Sequence, residues 1–255
     1  MGNLILEAHP RPGVTVLTLN RPDKRNALNI PMLETLCAAV AGASAREGQR
    51  VLVIRASGPA FCAGLDLAEA RDPSLAARSG ELVRAMLEGV YGSPCVTIAA
   101  VHGAALAGGA GLVAACDLAI GSMDATFGFP EVRRGLVAGL VMTFLRRQLA
   151  ERHARELLLF GEVMGAERAA EIGLITRAVP VGLLDEVIDA CVEKVLKGAP
   201  GAIRDTKALL DTLWHHPIGE DFDVAHGIHA RMRVSDEAQE GMAAFLEKRK
   251  AKWDL

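Results

Sequence analysis

The uncharged stretch from Gly89 to Cys116 constrains the fold most, because it holds no Asp, Glu, Lys or Arg. Its length could formally span a bilayer. It also contains Pro94, His102 and six glycines, and it divides into an apolar run at 96–101, a turn and the start of a helix. A buried strand followed by a buried helix therefore explains this stretch better than a membrane span.

Strands and helices alternate along the chain on either side of this stretch. Strand patterns occur at 14–19, 51–54 and 118–120. Asn29 with Pro31 opens a helix, and one face of that helix is apolar. This order predicts an α/β domain.

Two further helical segments complete the pattern. The segment 72–87 alternates charged residues with alanine, which predicts an exposed helix. Pro200 marks a clear break. We therefore expect a core at residues 1–198 and a helical C-terminal region at 199–255, whose last helix starts near Ser235 and ends in basic residues.

Composition excludes several classes of protein. The 255-residue chain is 51% hydrophobic, which is ample for a buried core, and its net charge of −3 and 4% aromatic residues argue against nucleic-acid binding. The five cysteines form no CxxC pair, which indicates free thiols in a reducing compartment. No secretory signal is visible, so we expect a cytoplasmic protein that binds no membrane.

Four histidines invite a metal hypothesis, but they lack acidic or cysteine partners at defined spacing. We expect no metal site and interpret them as surface or interface residues. They are His215, His216, His226 and His229.

The glycine pair Gly108 and Gly109 falls where apolar residues begin to recur with helical periodicity. Backbone N–H groups at this point would project from the N-terminus of a helix and would not be covered by side chains. Such groups can bind a negatively charged atom. Such a donor can stabilise an oxyanion by on the order of 3 kcal/mol. Alternatively, these glycines only permit a tight turn or close helix packing.

A second glycine-rich turn spans 57–67 and follows the strand pattern at 51–54. The backbone N–H of Leu65, just after Gly64, could supply a second donor.

Six ordered motifs give the chain a family resemblance. They are LNRPDKRNALN, FCAGLDL, AVHGAALAGGAGL with CDLAI, FGFPEVRRGL, GAERAAEIGLI and GMAAFLEKRKAKW. Over nearly its whole length the chain resembles the crotonase superfamily, that is, the enoyl-CoA hydratase/isomerase family. The resemblance implies a crotonase-type superhelix of ββα units with a C-terminal helical trimerisation region. It also implies an acyl-CoA thioester substrate, no cofactor apart from the coenzyme A of that substrate, and a homotrimer or dimer of trimers.

Glu131 lies between apolar residues in the stretch 127–132. Ionised glutamate loses hydration in such surroundings, so its pKa rises and it becomes a suitable base near neutral pH. A helix-start glutamate beside Pro130 is the alternative. The resemblance implies that the N–H groups of Leu65 and Gly108 bind the thioester oxyanion while the side chain of Leu65 shapes the acyl pocket.

The resemblance also implies residues that bind coenzyme A. The turn 25–28 would lie along the cofactor portion of the substrate, and Phe245 and Lys248 would approach the adenine and phosphate of a coenzyme A bound to the next subunit. Lys24 could neighbour a phosphate or be plain solvated surface, and Lys248 could be a plain basic helix end. The full set implied by the resemblance is Arg25, Ala27, Leu28, Ala63, Asp66, Leu67, Phe245 and Lys248.

One departure from the family pattern bears on the reaction. Family members that hydrate double bonds commonly use two glutamates, and this chain has Gly111 where the first would stand. Shifting a double bond needs only one base, so we expect an isomerase that converts 3-enoyl-CoA to 2-enoyl-CoA. Alternatives are a hydratase with a single glutamate, an acyl-CoA thioester hydrolase, and a non-catalytic CoA-binding protein.

Overall fold

A computed structural model of the chain describes residues 3–70, 72–214 and 218–252. Its strands form a six-stranded sheet and a three-stranded sheet. In chain order the strands are β1 (Ile5–Arg11), β2 (Val14–Leu19), β3 (Val51–Ala56), β4 (Val96–Val101), β5 (Ala104–Leu106), β6 (Leu118–Ser122), β7 (Thr126–Gly128), β8 (Val163–Gly165) and β9 (Arg177–Val179).

The helices lie between these strands and at the C-terminal end. Two short 3-10 turns, at Pro22–Lys24 and Pro130–Arg134, complete the described elements. The helices are α1 (Ile30–Ala45), α2 (Leu67–Ala70), α3 (Pro73–Tyr91), α4 (Gly108–Ala114), α5 (Gly139–Gln148), α6 (Glu151–Phe160), α7 (Ala166–Glu171), α8 (Leu184–Lys197), α9 (Pro200–Thr212), α10 (Ile218–Arg233) and α11 (Asp236–Leu246).

The large sheet has the order β1-β2-β3-β4-β6-β9, and every pair from β2 onward is parallel. Helices connect these parallel strands, as parallel pairing requires. Within this sheet, strands that follow one another in chain order are therefore neighbours, and the chain winds steadily in one direction. The α/β prediction is confirmed.

A second set of backbone pairings links the turns that follow successive strands. Leu28 bridges Leu65, Cys62 bridges Ala105, and β5 pairs with β7, which pairs with β8. These pairings bring the turns that follow β2, β3 and β4 side by side. The glycine-rich segments far apart in sequence therefore meet at one place.

The strand and the helix predicted within the uncharged stretch are buried in the protein core, as expected. β4 and all of α4 are buried, except for a partly exposed first residue in β4. None of the helices in the described ranges is long and apolar enough to cross a membrane. All five cysteines are free thiols, which confirms that prediction.

Two details of the sequence prediction are wrong. α3 is not an exposed helix, because Leu82, Val83, Met86, Leu87 and Val90 are buried against the core. The basic run at the C-terminal end lies beyond α11, which ends at Leu246. The sequence analysis also has no equivalent of the strands β1, β5, β7, β8 and β9.

The three C-terminal helices follow the break at Pro200. α10 packs against α5 and α3, and α11 packs against the turn Pro130–Arg134. The backbone contact in the second case is close, since a Cβ on Gly241 would lie 2.4 Å from the carbonyl oxygen of Arg134. α11 therefore covers the part of the core that carries Glu131.

Candidate active site

One cavity of about 410 Å³ collects most of the residues singled out in the sequence. This volume falls in the ordinary range for small-molecule sites. Its walls come from the turns after β2, β3 and β5, from the segment 131–141, and from α10 and α11. Among the predicted site residues, those on its walls are Arg25, Ala27, Ala63, Leu65, Asp66, Leu67, Gly108, Glu131 and Phe245.

The two glycine-rich turns touch at Gly64. Its φ of +92° is in the left-handed region, and a Cβ there would lie 2.9 Å from both the Ala107 Cβ and the Leu106 carbonyl oxygen. The same position is 3.6 Å from the backbone nitrogen of Gly108. Only glycine fits this conformation and this approach. Position 64 thus holds the amide of Leu65 close to the start of α4.

The backbone N–H of Leu65 is free of the pairing around it. In the bridge between these turns, Leu28 N–H donates to the Gly64 carbonyl and Asp66 N–H donates to the Leu28 carbonyl. Gly108 is the first residue of α4, where N–H groups have no partner within the helix. Neither the Leu65 nor the Gly108 N–H donates to any residue in the described ranges. Two unused donors therefore lie on the wall of one cavity.

The residue before α4 is held in a strained conformation. Ala107 has φ +50° and ψ −123°, a region that costs a non-glycine residue on the order of 1–3 kcal/mol. Its N–H donates to the Gly128 carbonyl at 2.8 Å, and its own carbonyl accepts from Gly111 N–H at 2.9 Å. These bonds fix the peptide whose nitrogen belongs to Gly108.

Glu131 supplies the acidic group of the cavity. Its oxygen Oε2 is buried and accepts no hydrogen bond from the described residues. Desolvation raises the pKa of Glu131 to about 7, and this outweighs the lowering by a backbone hydrogen bond and by the nearby charge of Arg134. The carboxylate can therefore both accept and return a proton near neutral pH.

A second carboxylate in the described cavity wall, Asp66, is already engaged. It forms an ion pair with Arg21 at 2.7 Å and accepts from the Ala68 N–H. Glu131 is thus the acidic residue that the cavity leaves unpaired, within the part of the chain that the structure describes.

The structure explains the departure at Gly111. This residue is buried in α4, and a Cβ there would lie 2.4 Å from Cγ1 of Val141 and 3.7 Å from a methyl carbon of Leu87. Val141 of α5 fills the space that a longer side chain would need. A side chain at this point would therefore meet Val141, in the place where the resemblance implies a second glutamate for hydratases.

We expect Gly111→Ala to lower the free energy of unfolding by about 1–3 kcal/mol, because overpacking outweighs the roughly 1 kcal/mol gain in helix propensity. Combined with Val141→Ala, its cost should shrink by about 1 kcal/mol or more. Urea unfolding of both single variants and the double variant measures this coupling. Additive costs would contradict the contact.

Two predicted residues do not form part of the cavity wall. Leu28 is buried behind it, where its Cδ1 lies 3.4 Å from a Cβ position on Gly108. Lys248 follows α11, has φ +53° and is exposed. Phe245 is half-exposed and lies under the guanidinium of Arg134, whose Cζ is 4.3 Å from the ring centroid.

Sequence reasoning missed three polar residues of the cavity: Arg134, His229 and Arg233. His229 is not plain exposed surface, because it lines the cavity and its Nε2 is buried. Arg134 lies within a motif already singled out, whereas a helical arginine such as Arg233 carries no local signal. His215 and His216 lie outside the described residues. No group of three metal-binding side chains occurs within the part of the chain that the structure describes.

Comparison with known proteins gives one consistent family. The family model described as enoyl-CoA hydratase/isomerase matches residues 10–255. A Thermus thermophilus protein provisionally named enoyl-CoA hydratase is 39% identical over 92% of this chain and 95% of its own length. An enoyl-CoA isomerase/hydratase of Mycosarcoma maydis is 32% identical over 93% of this chain and 91% of its own. The crystal structure of an enoyl-CoA hydratase from Mycobacterium avium, 37% identical, aligns with a TM-score of 0.87 over 99% of this chain and 100% of that chain.

Proposed function

We propose that this chain, which belongs to the enoyl-CoA hydratase/isomerase family, shifts the double bond of an enoyl-CoA from position 3 to position 2. The members of this family are crotonase-type enzymes that act on acyl-CoA thioesters. The observation that carries the finer assignment is Val141 in the space beside Gly111, which leaves Glu131 as the unpaired carboxylate.

The proposed mechanism needs two donors and one base. The N–H groups of Leu65 and Gly108 bind the thioester oxygen. Glu131 removes a proton from the α carbon, and the electron pair moves into a dienolate whose negative charge lies largely on that oxygen. The protonated Glu131 then delivers the proton to the γ carbon, which leaves the double bond between the α and β carbons. The base is regenerated in the same turnover.

Hydration is the second candidate, and the names of relatives favour it. Adding water requires one group to activate the water and one to protonate the α carbon, which suits two carboxylates better than one. Glu131 would have to perform both steps in turn. Thioester hydrolysis and a non-catalytic CoA-binding role are further outcomes of the same test.

We assign the coenzyme A portion of the substrate to the walls formed by the first two turns. Arg25, Ala27 and Leu28 would follow it on one side, and Ala63, Asp66 and Leu67 on the other. Phe245 and Lys248 would reach the adenine and phosphate in a homotrimer or a dimer of trimers, in a chain that we expect to be cytoplasmic.

The proposal is tested by offering two substrates separately to the purified protein. An isomerase converts 3-hexenoyl-CoA to the conjugated thioester, so ultraviolet absorbance of that chromophore rises. A hydratase instead removes the chromophore of 2-hexenoyl-CoA. A faster rate with the second substrate, release of free thiol, or no change with either would contradict the assignment.

The pH dependence of kcat/KM should report Glu131. Since the base must be ionised and its pKa is raised to about 7, kcat/KM for 3-hexenoyl-CoA is expected to fall about tenfold per pH unit below pH 7 and to level off above it. The Kd of saturated hexanoyl-CoA, measured at the same pH values, is the control and should vary far less. A profile that falls only below pH 5 would contradict a raised pKa.

A further inference from the structure

The cavity contains a buried cation that has no acidic partner among the residues that the structure describes. Arg233, the last residue of α10, is only 5% exposed, and its Nη1 and Nη2 donate to no residue in the described ranges. It lines the same cavity as Glu131. Both terminal nitrogens are thus buried at the cavity wall without a hydrogen-bond partner among the described residues.

Desolvation alone accounts for the lowered pKa of Arg233, so no described carboxylate offsets its burial. The buried side chain of Arg147 shows the usual solution, since it pairs with Asp211 at 2.8 Å. An uncompensated buried charge costs several kcal/mol. A site that retains one is a candidate for binding an anion.

Arg233 belongs to the part of the cavity where the acyl group would extend. A Cβ on Gly80 of α3 would lie 3.6 Å from its Nη1 and 3.9 Å from Cδ2 of His229. Leu87, two turns further along α3, contacts the position beside Gly111. Two helical turns correspond to about 10 Å. Arg233 therefore lies within reach of a short chain whose thioester is at Gly108.

The histidines beside Arg233 supply no negative charge that could pair with its guanidinium group. The Nδ1 of His229 is 3.3 Å from the Val137 carbonyl oxygen, so the ring donates at this atom and leaves Nε2 as an acceptor. Burial and the charge of Arg233 lower the pKa of His229 to about 4. His226 also faces Gly80, with Nε2 4.0 Å from the same Cβ position.

We propose that the acyl group of the substrate carries a carboxylate at its far end and that Arg233 binds it. Two terminal N–H donors in one plane match a carboxylate, which can accept from both. Arg233 is thus a specificity-determining residue. This inference rests on the proposed function only in taking the ligand to be an acyl-CoA.

Binding of saturated thioesters tests this without any turnover. The probes are succinyl-, glutaryl- and adipyl-CoA, each compared with the methyl-ended thioester of equal carbon number: butyryl-, valeryl- and hexanoyl-CoA. We expect at least one carboxyl-ended probe to bind tenfold or more tightly than its match. Titration calorimetry gives each Kd.

Three variants in α10 separate recognition from folding. Arg233→Met should remove the preference and leave the methyl-ended Kd unchanged or lower, since an apolar residue of similar size tolerates burial. Arg233→Lys should keep part of it. Arg231→Met, at an exposed position of α10, is the matched control and should change nothing.

Three outcomes would overturn the proposal. In the first, wild-type protein prefers the methyl-ended probe at every length. In the second, Arg233→Met weakens both series and free coenzyme A equally, which would assign the arginine to a phosphate of the coenzyme. In the third, Arg231→Met has the same effect. Enoyl-CoA turnover without any carboxylate preference refutes this inference alone. The preference without turnover of either 3-hexenoyl-CoA or its carboxyl-ended counterpart, 3-hexenedioyl-CoA, refutes the proposed function alone.

Discussion

Glu131→Gln is expected to reduce kcat for 3-hexenoyl-CoA by about 10²–10⁴-fold, the usual contribution of a positioned general base. The amide has nearly the same size and shape as the carboxyl group, but it cannot take up the α proton. Binding of saturated hexanoyl-CoA should be nearly unchanged. Steady-state kinetics together with calorimetry measure the two effects separately.

Glu162→Gln provides the matched control, because Glu162 is an exposed carboxylate near the same loop, 3.4 Å from Arg133. It should retain wild-type activity. Full activity in Glu131→Gln would show that another group removes the proton, and the assignment of the base would then be withdrawn.

The same variant has a predictable effect on stability. Because folding raises the pKa of Glu131 from 4.5 to about 7, the unfolded chain loses this proton before the folded chain does. The folded state is thus progressively disfavoured as pH rises between these values. Glu131→Gln should therefore be more stable than wild type at pH 8, by about 3 kcal/mol at most, and about equally stable at pH 4.

Gly64→Ala is expected to reduce kcat/KM by about 10²-fold or more. The added Cβ would lie 2.9 Å from Ala107 and from the Leu106 carbonyl oxygen, at a φ of +92° that L-residues rarely adopt. The two turns must then separate, and the N–H groups of Leu65 and Gly108 no longer point at the same oxygen atom. Losing one such donor costs about 3 kcal/mol.

Two other glycine-to-alanine variants distinguish this effect from a general one. Gly108→Ala keeps the donor N–H, and its Cβ would meet only Leu28 Cδ1 at 3.4 Å, so activity should fall little. Gly42→Ala, inside α1 with nothing within 4 Å, should keep full activity and gain about 0.5–1 kcal/mol in stability. Equal losses at positions 64 and 108 would contradict the geometry.

Much of the fold follows from sequence pattern because the parallel strands are buried and apolar. The runs at 14–19, 51–54, 96–101 and 118–120 all become neighbouring strands of the large sheet. α3 was harder to predict, since its buried residues recur among charged ones and its neighbours α1 and α10 are distant in sequence. Burial of a helix face depends on what packs against it.

The residues of the site also differ in whether the sequence alone can predict them. Gly64, Gly108 and Glu131 stand in motifs whose chemistry can be stated from the residues alone. Val141 and Arg233 cannot be found by pattern, because each acts through a contact with a residue remote in the chain: Gly111 for the first and Gly80 for the second. Both bear on which acyl group and which reaction the cavity favours.

A crystal structure of Glu131→Gln with bound 3-hexenoyl-CoA would show whether both backbone donors bind the thioester. We expect the thioester oxygen to lie about 2.7–3.1 Å from the backbone nitrogens of both Leu65 and Gly108. The residue at position 131 should face the α carbon. A thioester oxygen directed away from either nitrogen would show that the two N–H groups do not form an oxyanion site.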